Sequence, residues 1–352
     1  MENEVVELWE KVQRSGESPD ANAHILEDVD RILGTLEGQE CFQVLQLRLI
    51  AFKAGRQCDL KQLIADLENE AKRNPTNPSV WICIAEAQLH VGHPDEAIPP
   101  LEFALTLGEN PDVLNLLSLC QRRKTSPNNQ ESLDLAKRSI KADINNGKSW
   151  ANLGCAYLGL GGFKNLKQSR KAFLMAMKNG ENTNADTVFN LATVTEILLD
   201  FVEAEHLYNE AIQLTGGWIQ AVQNAERVHT MLQKVQQKVQ VIESLKPKKK
   251  AEYTKKLQAE TDFLIVETPF DKSATAQIVV GINNAGHGVA FGVTQTLRAY
   301  VRREKTIFRI SKQPVEQGGF PYVIIETPSD VQILNGATPQ EIAGAKVTSS
   351  LV

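Results

Sequence analysis

The residues with the clearest potential for chemistry are two histidines three positions apart, His90 and His93, followed closely by Asp95. On one helix this spacing would place both imidazoles on the same face, where they could share a zinc ion. Gly92 and Pro94, however, predict a turn between two helices at this point. We therefore expect solvated histidines here and predict neither a metal site nor a cofactor.

A glycine-rich run from Gly281 to Gly288 is the second candidate, because glycine loops can wrap phosphate groups. It lacks the Lys-Ser/Thr pair of a phosphate loop, and no helical pattern follows it. A β-hairpin turn is the better interpretation. No Ser, His and Asp pattern has the support of a local motif either, so the sequence predicts no catalytic residue and a protein that is not an enzyme.

A recurring set of apolar residues is the strongest signal in the chain. Trp81, Leu114, Trp150 and Val188 take the same place in successive units, at intervals of 33, 36 and 38 residues. These intervals are typical of tetratricopeptide repeats, in which each unit is a hairpin of two helices. Small residues such as Gly154 let the two helices of a hairpin approach closely. Stacks of this kind hold partners in a groove.

The register of the repeats also predicts which side chains line the groove. With units that start at Pro78, Pro111, Gly147 and Ala185, the first helix of each unit contributes its positions two, five, nine, twelve and thirteen. The candidate peptide-binding residues are Glu86, Asn115, Arg122, Lys148, Asp186, Phe189 and Gln220. Their mixed charges suit a short extended peptide that carries a basic group and an acidic or carbonyl group. A clamp for a C-terminal carboxylate is disfavoured, because the negative Glu86 would repel it.

Composition restricts the classes of protein to which the chain can belong. The 352 residues are 42% hydrophobic and 23% charged, which suffices for a sizeable core and two domains. No stretch reaches the length of a membrane span, the N-terminus lacks the pattern of a signal peptide, and five scattered cysteines argue against a disulfide framework. We expect no membrane partner and a location in the cytoplasm, with the nucleus as a second compartment.

The residue pattern changes after Leu245. The basic run Lys246 to Lys250 is followed by short apolar stretches separated by turn residues. Strands are predicted at 263–266, 276–282, 289–293, 297–302, 306–310, 322–326 and 331–334. The predicted fold is an all-α tetratricopeptide superhelix followed by a small all-β barrel, since closure removes exposed edges. The predicted boundaries are N-terminal capping helices at 1–40, repeats with a terminal cap helix at 41–240, a basic linker at 241–260, the barrel at 261–340 and a flexible tail at 341–352.

Charge differs between the two parts and allows a second hypothesis. Residues 1–240 carry 24 Lys and Arg against 32 Asp and Glu, whereas residues 241–352 carry 14 against 11. The candidates for contact with nucleic acid are Lys248 and Lys249 in the linker and Arg302, Arg303 and Arg309 in the barrel, where aromatic residues alternate with them. A solvated linker, a nuclear import signal and an amphipathic strand with a charged outer face are the alternatives.

Several short motifs carry a resemblance to a known family. They are Leu117 to Arg122, Gly147 to Trp150, the cap at Trp218 and, near the end, Ile325 to Pro328 leading to Leu334, Asn335 and Gly336. With these motifs the chain resembles the tetratricopeptide repeat protein 5 (Strap) family over most of residues 40–345. That family has a helical repeat array followed by an OB-fold.

The resemblance implies recognition of the nascent N-terminal tetrapeptide of tubulins at the ribosome, which triggers decay of tubulin messages. It also implies a separate role as a stress-responsive transcription cofactor, with transcription co-activators or chromatin as partners. One arginine and two acidic residues hold the peptide in the family, and these places correspond to Arg122, Asp186 and Gln220, the last of which supplies an amide instead of a charge. The two ribosome-contacting lysines of the family correspond to Lys72 and Asn69. Our leading hypothesis is a non-enzymatic adaptor, and the nuclear cofactor is the alternative.

Overall fold

The computed structural model describes residues 2–14, 19–36, 41–258, 262–267, 276–283, 288–294, 307–310, 315–317, 320–325 and 331–334. The chain divides into two compact units, Met1–Leu191 with Asn209–Ala221, and Ala192–Tyr208 with Val222–Val352. Within the ranges just given, no helix has the length and apolar character needed to cross a bilayer.

The first unit starts with four helices, α1 (Glu2–Arg14), α2 (Pro19–Thr35), α3 (Phe42–Lys53) and α4 (Leu60–Arg73). The stretch predicted to cap the repeats contains α1 and α2. Leu8, Val29 and Ile50 from α1, α2 and α3 are almost fully buried in one apolar cluster. Burial of this cluster attaches the two N-terminal helices to the first helix of the repeat array.

Residues 78–215 form a series of helix pairs. They are α5 (Pro78–Val91) with α6 (Pro94–Leu107), α7 (Pro111–Arg123) with α8 (Asn129–Ala142), α9 (Gly147–Leu160) with α10 (Phe163–Lys178), and α11 (Ala185–Ile197) with α12 (Phe201–Thr215). The first helix of each pair begins at the residue predicted to start a unit. The tetratricopeptide-type helical repeat is therefore confirmed.

Asparagine caps explain why these first helices begin where they do. Asn77, Asn110, Asn146 and Asn184 precede α5, α7, α9 and α11, and each side chain accepts a hydrogen bond from a backbone N–H of the first turn. Such a bond satisfies a donor that the helix itself leaves without a partner. Proline is the first helical residue of α5 and α7, where its missing N–H costs nothing. Local chemistry thus sets the register of the repeat.

Close contact between α9 and α10 depends on a glycine. A Cβ atom added to Gly154 would lie 2.8 Å from the ring of Phe173, which is fully buried. The hydroxyl of Ser169 donates to the carbonyl oxygen of Gly154 at 2.7 Å. The prediction that small residues allow the helices of a hairpin to approach is confirmed at this position.

A long helix, α13 (Ile219–Glu243), follows the helix pairs where a terminal cap helix was predicted, and α14 (Pro247–Thr254) comes after it. The region predicted as a basic linker is therefore helical in its middle. Pro247 at the first position and a run of lysine, alanine and glutamate, which are good helix formers, explain this difference.

The C-terminal sheet contains β1 (Asp262–Glu267), β2 (Ala276–Asn283), β3 (Gly288–Thr294), β4 (Ile307–Ile310), β5 (Val315–Gln317), β6 (Phe320–Ile325) and β7 (Val331–Ile333). Its order is β5-β6-β3-β2-β1-β4-β7, with β3 and β6 parallel and the other pairs antiparallel. The predicted strand at 297–302 and the predicted tail at 341–352 lie outside the described residues.

The predicted closed barrel is not supported by this pairing. Among the described strands, the order ends on β5 and β7, which do not pair with each other. Both are only three residues long, and short edge strands limit the exposure of unpaired backbone groups without closure.

Candidate functional site

Arg122 lies in the last turn of α7, at the place that the repeat register predicted for a groove residue. Its guanidinium donates hydrogen bonds to Ser118 Oγ at 2.9 Å, to Ser132 Oγ at 2.8 Å and to Asn152 Oδ1 at 2.9 Å. These acceptors come from α7, α8 and α9, and all three are neutral oxygen atoms. Side chains from three helices thus orient the guanidinium of Arg122.

The charge of Arg122 has no carboxylate partner among the residues that the structure describes. Removal from water lowers the pKa of this guanidinium, and the like charge of Arg123 acts in the same direction. An arginine nevertheless stays protonated in proteins. The result is a half-buried cation that lacks an anion, an arrangement that favours a ligand oxygen with negative charge.

A chain of polar side chains extends from Arg122 toward the start of the helices. Asn152 Nδ2 donates to Asn115 Oδ1 at 3.1 Å, and Asn115 Nδ2 donates to Ser149 Oγ at 3.1 Å. Ser149 and Ser139 are joined through their hydroxyls at 2.7 Å. Each amide of the chain is held by its neighbours, so Asn115 presents its second N–H in one fixed direction.

Asp186 lies in the first turn of α11 and is exposed. Burial raises the pKa of the Cys155 thiol, Arg122 opposes that effect and Asp186 adds to it. Arg122 and Asp186 thus act on this thiol with opposite sign, as expected of a basic and an acidic residue. That they hold one peptide together stays a prediction.

Phe189 forms an aromatic pair with Trp218, with ring centroids 4.4 Å apart. Trp218 lies immediately before α13, where its backbone N–H donates to Thr215 Oγ1 at 3.0 Å. Ile219 and Gln220 follow it and are both exposed, Ile219 to 64%. Phe189 and Gln220 thus belong to a partly apolar surface at the beginning of the cap helix.

A cavity of about 810 Å³ brings three of the candidate residues together, Glu86, Asn115 and Lys148. Its other lining residues come from α1, α3, α5, the starts of α7 and α9, and the segment 179–183, which contains the 3-10 turn Glu181–Thr183. Arg122, Asp186, Phe189 and Gln220 are not part of the cavity lining. The candidate residues therefore do not share one cavity, because Glu86, Asn115 and Lys148 line it and the other four lie outside its lining.

The prediction that Glu86 presents its charge to a ligand needs correction. Glu86 is only 7% exposed, and its carboxylate accepts a hydrogen bond from Lys53 Nζ at 2.7 Å. Lys53 also lies 4.7 Å from the ring centroid of Trp9. Lys53 thus neutralises the charge of Glu86. Repulsion by Glu86 is therefore no longer an argument against a clamp for a C-terminal carboxylate.

Sequence reasoning missed the contacts that Lys53, Asn152 and Ser132 make with the candidate residues. Lys53 and Glu86 are separated by 33 residues, an interval that the repeats themselves use. A comparison of equivalent positions in neighbouring units would have paired these two residues. Asn152 follows the predicted groove residue Ala151 directly, and Ser132 belongs to a second helix, which the register did not consider.

The remaining candidates lie elsewhere. Lys72 is exposed on α4, and its ammonium donates to Asn69 Oδ1 at 3.3 Å. Lys248 and Lys249 are exposed on α14, with Lys249 Nζ 6.0 Å from the ring centroid of Tyr253.

Arg309 differs from the expectation of an outward-facing nucleic-acid contact. It donates to Asp262 through Nε at 2.8 Å and through Nη2 at 3.3 Å, and Asp262 is fully buried. This bond raises the pKa of the Arg309 guanidinium. Arg302 and Arg303 lie outside the described residues.

No protein-family model and no curated protein matches the chain. Solved structures are similar to part of it. YrrB, a TPR protein with an unusual peptide-binding site, has 14% identity and a TM-score of 0.37 over 55% of this chain and 97% of its own. TTC0263, a thermophilic TPR protein of Thermus thermophilus, has 15% identity and a TM-score of 0.45 over 53% and 97%. The first TPR of Spaghetti (RPAP3), bound to an HSP90 peptide, has 16% identity and a TM-score of 0.32 over 35% and 94%.

Proposed function

We propose that this protein is a non-enzymatic adaptor whose repeat groove binds a short extended peptide, and that the peptide is the nascent N-terminus of tubulin at the ribosome. The observation that carries the proposal is the guanidinium of Arg122. It is oriented by Ser118, Ser132 and Asn152, and no carboxylate of the described residues balances its charge. A carboxylate or carbonyl oxygen of a bound peptide would supply the missing acceptor.

Asp186 supports a ligand with a second, basic group. Its carboxylate is exposed. Its negative charge raises the pKa of the Cys155 thiol, whereas the positive charge of Arg122 lowers it. A peptide that carries an acidic and a basic group would place each next to its complement, and wrong charge patterns would be rejected by repulsion. The half-exposed pair of Phe189 and Trp218 adds an apolar surface next to Gln220.

The choice of tubulin rests on the resemblance of the sequence to the tetratricopeptide repeat protein 5 family, in which the three peptide-holding places correspond to Arg122, Asp186 and Gln220. Two of the three keep the residue type that a charged peptide needs. Contact with the ribosome rests on the same resemblance, and Lys72 is exposed, as such a contact requires.

Crosslinking during translation tests this proposal. A photoreactive residue in place of Leu119, one turn before Arg122, should capture tubulin chains that have just emerged from the ribosome. The same residue in place of Lys137, which is exposed on α8, serves as the control and should capture none. Capture of tubulin equally by both, or of unrelated nascent chains equally by Leu119, would contradict the proposal.

The nuclear cofactor remains the second hypothesis, with chromatin, co-activators or nucleic acid as partners and an OB-fold-like arrangement of the C-terminal strands. Its described support consists of exposed lysines on α14, because Arg309 is engaged by Asp262. Binding of single strands by residues 246–352 alone, weakening steeply with salt, would support it. No binding at low salt would end it.

A further inference from the structure

The cavity next to the Arg122 site has an apolar wall that belongs to the N-terminal helix. Val6 and Trp9 of α1 line it, together with Ile82 of α5 and Leu116 of α7. Val6 is 53% exposed, although its neighbours Val5 and Leu8 are at most 2% exposed. An exposed apolar side chain that lines a cavity of about 810 Å³ is placed to contact a ligand.

The opposite side of the cavity is polar. Lys148 in the first turn of α9 lines it and has no hydrogen bond or ion pair among the described residues. Asn115 also lines it, with one N–H of its amide donated to Ser149. The cavity thus combines an apolar wall with an ammonium and an amide that can bind peptide oxygens, which is the composition of a small-ligand or side-chain pocket.

Two links connect the cavity lining with Arg122 and Asp186. Asn115 in its lining is joined to Asn152, which accepts directly from Arg122. The 3-10 turn Glu181–Thr183 also lines the cavity, and it leads directly into α11, which carries Asp186 in its first turn. The cavity lining and the surroundings of Arg122 are therefore joined through Asn115 and Asn152.

We propose that this cavity is a second subsite of the peptide groove, which takes an apolar side chain from the part of the peptide beyond the residues held by Arg122 and Asp186. Val6, Trp9, Ile82 and Leu116 would contact that side chain, while Lys148 would bind a carbonyl or carboxylate oxygen next to it. The N-terminal helix would then take part in recognition in addition to covering the end of the repeat array. This inference rests on the proposed function of the same groove and adds the length and chemistry of the ligand.

Binding of tubulin N-terminal peptides of two lengths tests the subsite. The full chain should bind an octapeptide about tenfold more tightly than the tetrapeptide, since burying one aliphatic side chain contributes about that much. Val6→Asp should remove this gain and leave the affinity for the tetrapeptide unchanged. Val241→Asp is the matched control, because Val241 is 57% exposed on α13, and it should bind both peptides as the wild type does.

Equal affinity of the wild type for the two peptides would overturn the subsite, as would a Val6→Asp variant that keeps the full gain or loses tetrapeptide binding as well. The length comparison uses the unaltered protein, so it decides the matter even if Val6→Asp fails to fold, and Val6→Ser offers a milder variant. The two proposals fail in different ways. Tight tetrapeptide binding without a gain from length would refute the subsite alone, whereas no binding of either peptide would refute the proposed function.

Discussion

Asn152 accepts a hydrogen bond from Arg122 at 2.9 Å and donates one to Asn115 at 3.1 Å, so one amide connects Arg122 with a residue that lines the cavity. Arg122 lies in the last turn of α7 and Asn152 in the middle of α9. Since the repeat period brings these helices side by side, the orientation of the guanidinium depends on a residue of the next unit.

Asn152→Ala should therefore weaken peptide binding without removing a charge. We expect a loss of about fivefold in affinity, which corresponds to about one hydrogen bond. Asn145→Ala, in the exposed turn before α9, is the matched control and should bind as the wild type does. Unchanged affinity of Asn152→Ala by calorimetry would show that Arg122 does not need this amide.

Gln220→Glu should strengthen binding of a peptide with a basic side chain. The substitution restores the charge that the resembling family has at this place, and an exposed ion pair contributes a gain of about threefold. High salt should cancel the gain because exposed charges are screened. Gln213→Glu adds the same charge on α12 and should change nothing. An equal effect of the two variants would indicate a general electrostatic attraction instead of a contact at Gln220.

Gly154→Ala should destabilise the repeat array by about 1–3 kcal/mol, since the added Cβ would meet the ring of Phe173 in a filled core. Gly34→Ala is the control, for which we expect the stability to change in the opposite direction. Gly34 lies near the end of α2 with no atom within 4 Å of a new Cβ, so the free energy of unfolding should rise by about 0.5–1 kcal/mol. Thermal and urea unfolding measure both values. A Gly154→Ala protein as stable as the wild type would contradict the close approach of α9 and α10.

Stability should fall as the pH is lowered, in part because of His90. Its side chain is exposed, but neighbouring atoms partly remove the imidazole from water and so lower its pKa, Lys53 and Arg123 act in the same direction, and Glu86 opposes them. The folded state therefore binds the proton less readily than the unfolded chain, whose histidine pKa is about 6.5. Above that pH the imidazole is neutral in both states and does not reduce stability. Below it the unfolded chain binds the proton more readily, so stability is lost as the pH falls toward the pKa of His90 in the folded state.

His90→Gln should accordingly lose less melting temperature than the wild type when the pH is lowered from about 7.5 to about 5.5, the range in which histidine titrates. Calorimetric scans at several pH values measure the difference. Identical pH dependence of the two proteins would show that the folded state does not disfavour protonation of His90.

The starts of the repeat helices were predictable because local chemistry determines them. Asn77, Asn110, Asn146 and Asn184 cap their own helices, and the period of Trp81 and Trp150 indicates the unit. The fold of the helical part therefore follows from neighbouring residues. The helix α14 was missed because its lysines indicate a linker as readily as a helix, and the strand β5 because three residues give no pattern.

The candidate site residues follow from the sequence, but their partners do not. The repeat register selects Arg122 and Asp186, yet the orientation of Arg122 depends on hydrogen bonds to Ser132 and Asn152, which come from two other helices. Glu86 was expected to face a ligand, and only the structure shows that Lys53 neutralises it. Contacts across units depend on how the helices pack, which the pattern within one unit does not contain.

The most direct test of the central claim compares two neighbouring arginines in binding of the tubulin N-terminal tetrapeptide, followed by fluorescence anisotropy. Arg122 carries an unbalanced charge inside the groove, whereas Arg123 is exposed next to it. The account predicts that Arg122→Gln loses binding by about a hundredfold, the cost of removing a charged hydrogen-bond partner, while Arg123→Gln binds within about twofold of the wild type. Circular dichroism should show the same helicity for both. Equal affinity of the two variants would contradict the claim that Arg122 holds the peptide.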